Sequence, residues 1–189
     1  NAPLIVPADD SYALDNALRT SARVISYGTA SDAMVRASGI GFYEHTGAVA
    51  GMKAVIHDGA EQGTCIVKGS VGKTQILPIA AALAVAHAFS VPLAEALIAL
   101  EEYEPPPGRG RLFAGRNGSI IIDDTYNASP AAVEEALSTL KSFPHAKRRI
   151  AVLGDMLELG RYSVMEHERI GTIARDAADV LVAVGIRAR

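Results

Sequence analysis

The chain has 189 residues, 49% of them apolar and 21% charged, with a mean hydropathy of +0.19 and a formal charge of -3 at neutral pH. That balance supplies a buried core and excludes a disordered chain or a basic surface that tracks nucleic acid, although Lys147-Arg148-Arg149 is a local basic run. Its one cysteine, Cys65, excludes an internal disulfide and a cysteine-based zinc site; it fits a reducing compartment, so the cytoplasm is the expected location.

The N-terminal Asn1-Ala2-Pro3 carries neither an initiator Met nor the basic and apolar regions of a secretory signal, and a missing upstream part is expected. Residues 1 to about 72 hold short β-branched runs (Leu4-Ile5-Val6, Val24-Ile25, Ala54-Val55-Ile56, Cys65-Ile66-Val67) punctuated by Gly and Asp, which predicts strands and turns. The Ala/Leu/Val density from Thr74 to Phe89 predicts a helix, and the spacing of Leu93, Ala96, Leu97 and Leu100 predicts another over 92–103. The stretch from Ile76 to Phe89 is broken by Pro78 and His87 and is shorter than the roughly 20 residues of a bilayer span, so no membrane helix is expected.

Glu104-Pro105-Pro106-Pro107-Gly108 cannot extend a helix and favours an extended path, which places a domain boundary at 104/105. Beyond it come an apolar strand ending in Asp123-Asp124, a helix over 130–141, a strand ending in Gly154-Asp155, a helix over 163–177 and a strand over 180–185. Apolar strands alternating with helices predict a doubly wound parallel α/β unit, with the two acidic strand ends side by side and further strands lying outside this chain.

Gly69-Ser70-Val71-Gly72-Lys73-Thr74 ends like a phosphate-binding P-loop but fails on spacing. Such a loop needs glycine five positions before its Gly-Lys-Thr, where Val67 stands, so a turn that starts a helix is expected. Asp123-Asp124-Thr125-Tyr126-Asn127-Ala128-Ser129-Pro130 places carboxylates and an amide just past a strand and at a helix N-terminus. In open α/β sheets ligands sit there: a carboxylate accepts hydrogen bonds from a ribose or an ammonium group, and the helix end favours phosphate. The competing reading is local: Ser129 as an N-cap, Pro130 as the first helical residue, Asp124 as a solvated charge. Spacing leaves both open. Asp155 stands at a second such edge, His167 on the next helix reads as a satisfied surface residue, and Arg109-Gly110-Arg111 is either a phosphate clamp or a hinge.

Taken in order, these segments resemble the Mur ligases. Residues 123–130 are similar to the Asp-Asp-Ser-Tyr-Asn-Ala-Asn-Pro signature of the family's dipeptide-adding branch, and Val152 to Gly160 to its next conserved segment. Pro107 to Phe113 resembles the Pro-Gly-Arg entry to the C-terminal domain, Gly72 to Ala86 a helix of the central domain, and Ala8-Asp9-Asp10 an upstream Asn-Ala-Asp turn.

The resemblance implies a partial central domain over 1–104 and the first half of a Rossmann-like C-terminal domain over 105–189. It implies a monomeric, ATP- and Mg2+-dependent ligase of peptidoglycan precursor synthesis, joining D-Ala-D-Ala to UDP-N-acetylmuramoyl-tripeptide through an acyl phosphate. Arg111 or Arg109 then matches the nucleotide-phosphate arginine, Asp124 the ribose contact and Gln75 a remnant of the adenine-side amides; Tyr126, Asn127, Ser129 and Asp155 match the substrate side. Departures are Thr74, Gln75 and Pro78 where the family has His-Asn and Asn, and Ser129 where it has Asn. No catalytic residue and no metal ligand is assigned within the chain, and the chain by itself is expected to be inactive. A sister ligase that adds one amino acid, a folylpolyglutamate synthase and a non-catalytic nucleotide-binding module are the alternatives. A Rossmann oxidoreductase is disfavoured because no Gly-x-Gly-x-x-Gly follows any strand.

Overall fold

A computed structural model describes residues 2–188, which divide into two compact units meeting between Pro105 and Pro106. The first unit is built on one five-stranded sheet whose order follows the chain. Strand β1 (Leu4–Pro7) leads through helix α1 (Ser11–Ala17) to β2 (Val24–Gly28), and β2 to β3 (Val35–His45), with β1, β2 and β3 parallel. Strands β4 (Ala48–Asp58) and β5 (Glu61–Lys68) then extend the sheet antiparallel.

The Asp9-Asp10 turn between β1 and α1 is held at both ends. Asp10 caps α1 by accepting from the Ala13 N–H at 3.0 Å, while Asp9 accepts from the Thr29 N–H at 2.7 Å and the Thr29 hydroxyl at 2.6 Å. Burial pushes the Asp9 carboxyl up, but the hydrogen bonds from Thr29 and the Ala30 N–H outweigh it and hold the group below its ordinary range.

The segment that ends like a P-loop is a turn. Val67 lies inside β5, so no loop wraps ahead of Gly72, and Lys73–Gln75 form a single 3-10 turn that leads into α2 (Ile76–Ala88). In α2 the buried residues are Ile76, Ile79, Ala80, Leu83 and Ala84, a stripe one helical face wide, packed on β1 to β4. Pro78 sits in the first turn, where its missing N–H costs no hydrogen bond. The second predicted helix is shorter than 92–103: α3 is Leu93–Ala99, continued by a 3-10 turn over Leu100–Glu102, and Glu61 accepts from the Leu93 N–H at 3.1 Å. Asp58, His87 and Arg23 tie the ends of β4 and α2 to the start of β2, with the His87 Nδ1 2.7 Å from the Asp58 carboxylate and its Nε2 3.2 Å from the Arg23 guanidinium.

The second unit is α/β, as the sequence predicts, with one correction. Strand β7 (Ile120–Asp123) does not enter a parallel ladder with the next strand. It folds back through a 3-10 turn at Arg116–Gly118 and pairs antiparallel with β6 (Arg111–Ala114). The turn is short and Asn117 takes a left-handed φ of 57°, so the pairing closes locally. The parallel pair is β8 (Ile150–Gly154) with β9 (Val180–Val184), preceded by α4 (Pro130–Ser142) and joined by α5 (Ser163–Ala177). The side-by-side placement expected for the 123–130 and 153–160 edges therefore has no hydrogen-bonded ladder beneath it. The core lies between α4, β8 and α5, where Leu137, Ala151, Met156, Ile170, Ala174 and Ala177 are buried together. Among the described residues no helix is long and apolar enough to cross a membrane.

Candidate functional site

Two loops of the second unit build the site: 108–110, entering β6, and 123–129, between β7 and α4. They are stitched at two points. The Tyr126 N–H donates to the Gly108 carbonyl at 3.2 Å, and the Gly110 N–H donates to Asp124 Oδ1 at 3.0 Å. Both glycines have left-handed backbones, φ 71° at Gly108 and 64° at Gly110, and a Cβ on Gly108 would lie 2.9 Å from the Tyr126 nitrogen. This close approach puts Arg109 at the apex, with its guanidinium over the Tyr126 ring, 4.1 Å from the centroid. Three residues singled out in the sequence thus converge: Arg109, Asp124 and Tyr126.

Burial pushes the Asp124 carboxyl above its ordinary range, opposed by the Gly110 N–H and by the charge of Arg109, and reinforced by Asp123. A half-buried carboxylate beside an arginine can accept from a sugar hydroxyl while the arginine holds an anion. Arg111 is on β6, in register with Asp123, and its guanidinium is 5.7 Å from the Phe113 ring centroid. Asp123, part of the same motif but given no ligand role there, turns the chain by accepting from the Thr125 hydroxyl at 2.6 Å and the Thr125 N–H at 3.2 Å, a signal legible in the Asp-x-Thr spacing.

The remaining sequence-derived residues have local partners. Asn127 Oδ1 accepts from the Ala128 N–H at 2.9 Å. Ser129 is the N-cap of α4, its hydroxyl accepting from the Ala132 N–H at 3.3 Å with Pro130 next, so the local reading of this end describes the serine. Gln75 lies in the first unit, in the turn that precedes α2, and is half-buried. Asp155, just past β8, accepts from the N–H groups of Ala188 at 2.8 Å, Arg187 at 2.9 Å and Ile186 at 3.2 Å. Gly185 lets that segment fold over the carboxylate, since a Cβ there would collide with Asp155.

These N–H bonds, that of Ala188 foremost, hold the Asp155 carboxyl below its ordinary range. A depressed folded-state value contributes stability above the unfolded-state value, lost as pH falls through the folded one. Asp155→Asn is therefore expected to flatten the acid limb of the stability curve below about pH 4 and to loosen residues 186–188 at neutral pH. Amide exchange of those residues across a pH series checks both. Among the described residues no group of three or more His, Cys, Asp or Glu side chains is placed to hold a metal ion.

Comparison with known proteins finds similarity of sequence and fold to one group of ligases. Residues 108–189 match the family model described as Mur ligase, glutamate ligase domain, and relatives align over nearly the whole chain. Residues 108–189 thus carry a Mur ligase C-terminal domain, and the chain as a whole is similar to the Mur ligases. Among them it is similar to the D-alanyl-D-alanine-adding ligases. The UDP-N-acetylmuramoyl-tripeptide--D-alanyl-D-alanine ligase of Mycobacterium tuberculosis H37Rv is 32% identical over 189 residues, 96% of this chain and 36% of that protein. A crystal structure of MurF from Acinetobacter baumannii matches with a TM-score of 0.83 at 26% identity, over 98% of this chain and 39% of that one. MurF from Thermotoga maritima in complex with ADP shares the fold, with a TM-score of 0.78 at 23% identity over 100% of this chain and 51% of that one. The chain spans little more than a third of the length of the M. tuberculosis relative.

Proposed function

We propose that this chain is a segment of an ATP-dependent ligase that adds D-Ala-D-Ala to UDP-N-acetylmuramoyl-tripeptide, a cytoplasmic and monomeric enzyme. Residues 1–104 would form the end of its central domain and 105–189 the first half of its C-terminal domain. The observation that carries the reading is the Arg109–Tyr126–Asp124 constellation within the stretch similar to the dipeptide-adding branch. The ADP named for the Thermotoga relative and the dipeptide named for the relatives supply the ligand classes.

In this reading Arg109 and Arg111 hold nucleotide phosphate, Asp124 accepts from the ribose, and Tyr126 and Asn127 line the crevice. Gln75, in the first unit, keeps the amide position that the family resemblance matches to the adenine side. Ser129 and Asp155 act on the substrate side by shaping their loops, because the hydroxyl of one and the carboxylate of the other are engaged by backbone N–H groups. The chemistry is stepwise. The tripeptide carboxylate takes the terminal phosphoryl group of ATP, ADP leaves, and the dipeptide amine attacks the acyl carbon. The tetrahedral adduct then expels phosphate to leave an amide. Arginines that hold the nucleotide fix the phosphoryl donor in line, and a closed crevice keeps water from the acyl phosphate. Mg2+ screens charge on the phosphates when bound, through residues outside those described.

A phosphate-release assay on the full-length gene product tests the reading. Release is expected only when ATP, the UDP-linked tripeptide and an amine are all present. Release from ATP alone, or none under any condition, would overturn it.

A further inference from the structure

We propose that His167 is a positioning residue: in a single neutral tautomer it pins the loop that follows β8. The imidazole bridges two backbone groups. Its Nε2 lies 3.0 Å from the Met156 nitrogen, whose N–H donates to it, and its Nδ1 lies 2.7 Å from the Ser163 carbonyl, which can only accept. Nδ1 therefore carries the proton and Nε2 the lone pair. One ring thus fastens the first turn of α5 to the backbone at the carboxyl edge of β8.

The loop it fastens is constrained on every side. Asp155 is held by the segment after β9, the Met156 side chain is buried at 2% exposure in the core of the unit, and Glu158 adopts a left-handed φ of 62°. A non-glycine residue there is strained and persists only where its surroundings fix it. The hydrogen bond to Met156 is the contact from α5 that fixes the backbone at the start of this turn.

Protonation would remove the pin, because an imidazolium has no lone pair to accept the Met156 N–H. Val133 of α4, Leu153 and Met156 at the end of β8, Leu181 and Ala183 of β9 and Ile170 of α5 line a small pocket together with the ring, and Asp155 is a charged group that interacts with it. The proposal rests on the ligase reading only for what the loop serves, the substrate side of the crevice; the pin stands apart from it.

Nitrogen-15 NMR on this 189-residue chain tests it without any ligand. The His167 ring is expected to show a protonated Nδ1 and an unprotonated Nε2 at pH 8. Met156 amide exchange, corrected for its intrinsic pH dependence, should speed up roughly fivefold, the loss of one net hydrogen bond, as the ring signals show protonation. His167→Gln keeps an acceptor and a donor and should retain most of the protection, whereas His167→Leu should lose it. A protonated Nε2 at pH 8 would overturn the proposal. So would Met156 protection that ignores the titration. Both are read on the unsubstituted chain, so a variant that fails to fold leaves the proposal testable. ATP-dependent activity has no part in the readout, so failure of the ligase reading leaves the result intact.

Discussion

Leu137→Ala is expected to destabilise the second unit by roughly 2–5 kcal/mol, the usual cost of truncating a fully buried leucine. Leu137 is 2% exposed and central to the cluster that α4, β8 and α5 share, where Ala151, Ala174 and Ala177 are already small and cannot swell into the space. The unit buries few large side chains, so this loss is a large fraction of its stability. Because the chain has two compact units, one melting temperature would blur the effect. Hydrogen exchange followed peptide by peptide separates them: β8 and α5 should lose protection while β3 to β5 keep theirs. Equal loss in both units would mean that they unfold as one.

Asp124→Asn should separate activity from stability. The asparagine Oδ1 can still accept from the Gly110 N–H, so the stitch between the loops survives, but the charge beside Arg109 is gone. Burial raises the carboxyl in the folded state, so its ionisation costs stability as pH rises above the unfolded value. That cost is fully present above the folded value and absent at low pH. The substitution should therefore leave thermal stability unchanged or higher at pH 7 and be neutral in acid. In the full-length enzyme phosphate release should fall by roughly 10- to 100-fold, the range for a lost charge-assisted hydrogen bond. Unaltered turnover would remove Asp124 from the nucleotide site; a parallel fall in stability would make it structural.

Much of the second unit is legible in the sequence because its signals are local and strong. Ser129-Pro130 marks the start of α4, and the stripe of Ser163, Ile170, Ala174 and Ala177 marks α5. The apolar runs 150–154 and 180–184 read as parallel strands and pair as such, although the burial that their apolar character suggests is not met at Ile150, Val152 and Val184, which are exposed. The long β3–β4 hairpin is not legible to the same degree. Register shifts between Ser38 and Gly41 and between Tyr43 and Glu44 break the alternation that periodicity relies on, and Gly51 approaches the Val67 carbonyl too closely for any side chain. Helix α1, seven residues long, shows itself only through its Asp10 cap. The pairing of β7 with β6 depends on the left-handed Asn117, which composition does not reveal.

The site is split in the same way. Asp124, Tyr126 and Asn127 stand out in one contiguous motif. The choice between Arg109 and Arg111 as the partner of Asp124 and Tyr126 cannot be read from their spacing, because it turns on two left-handed glycines that fold 108–110 onto 124–126. The employment of Asp155 by residues 186–188 and of His167 by Met156 joins positions whose closeness only the tertiary fold creates.

The most direct test of the central claim is the mass of the product. The full-length enzyme, given ATP, magnesium and UDP-N-acetylmuramoyl-tripeptide, is offered D-Ala-D-Ala in competition with single amino acids. The account predicts a UDP-linked pentapeptide, heavier by the dipeptide less one water, with ADP and phosphate formed in equal amounts. Addition of one amino acid would assign the chain to a sister ligase, and an unmodified tripeptide with every amine would contradict the ligase reading.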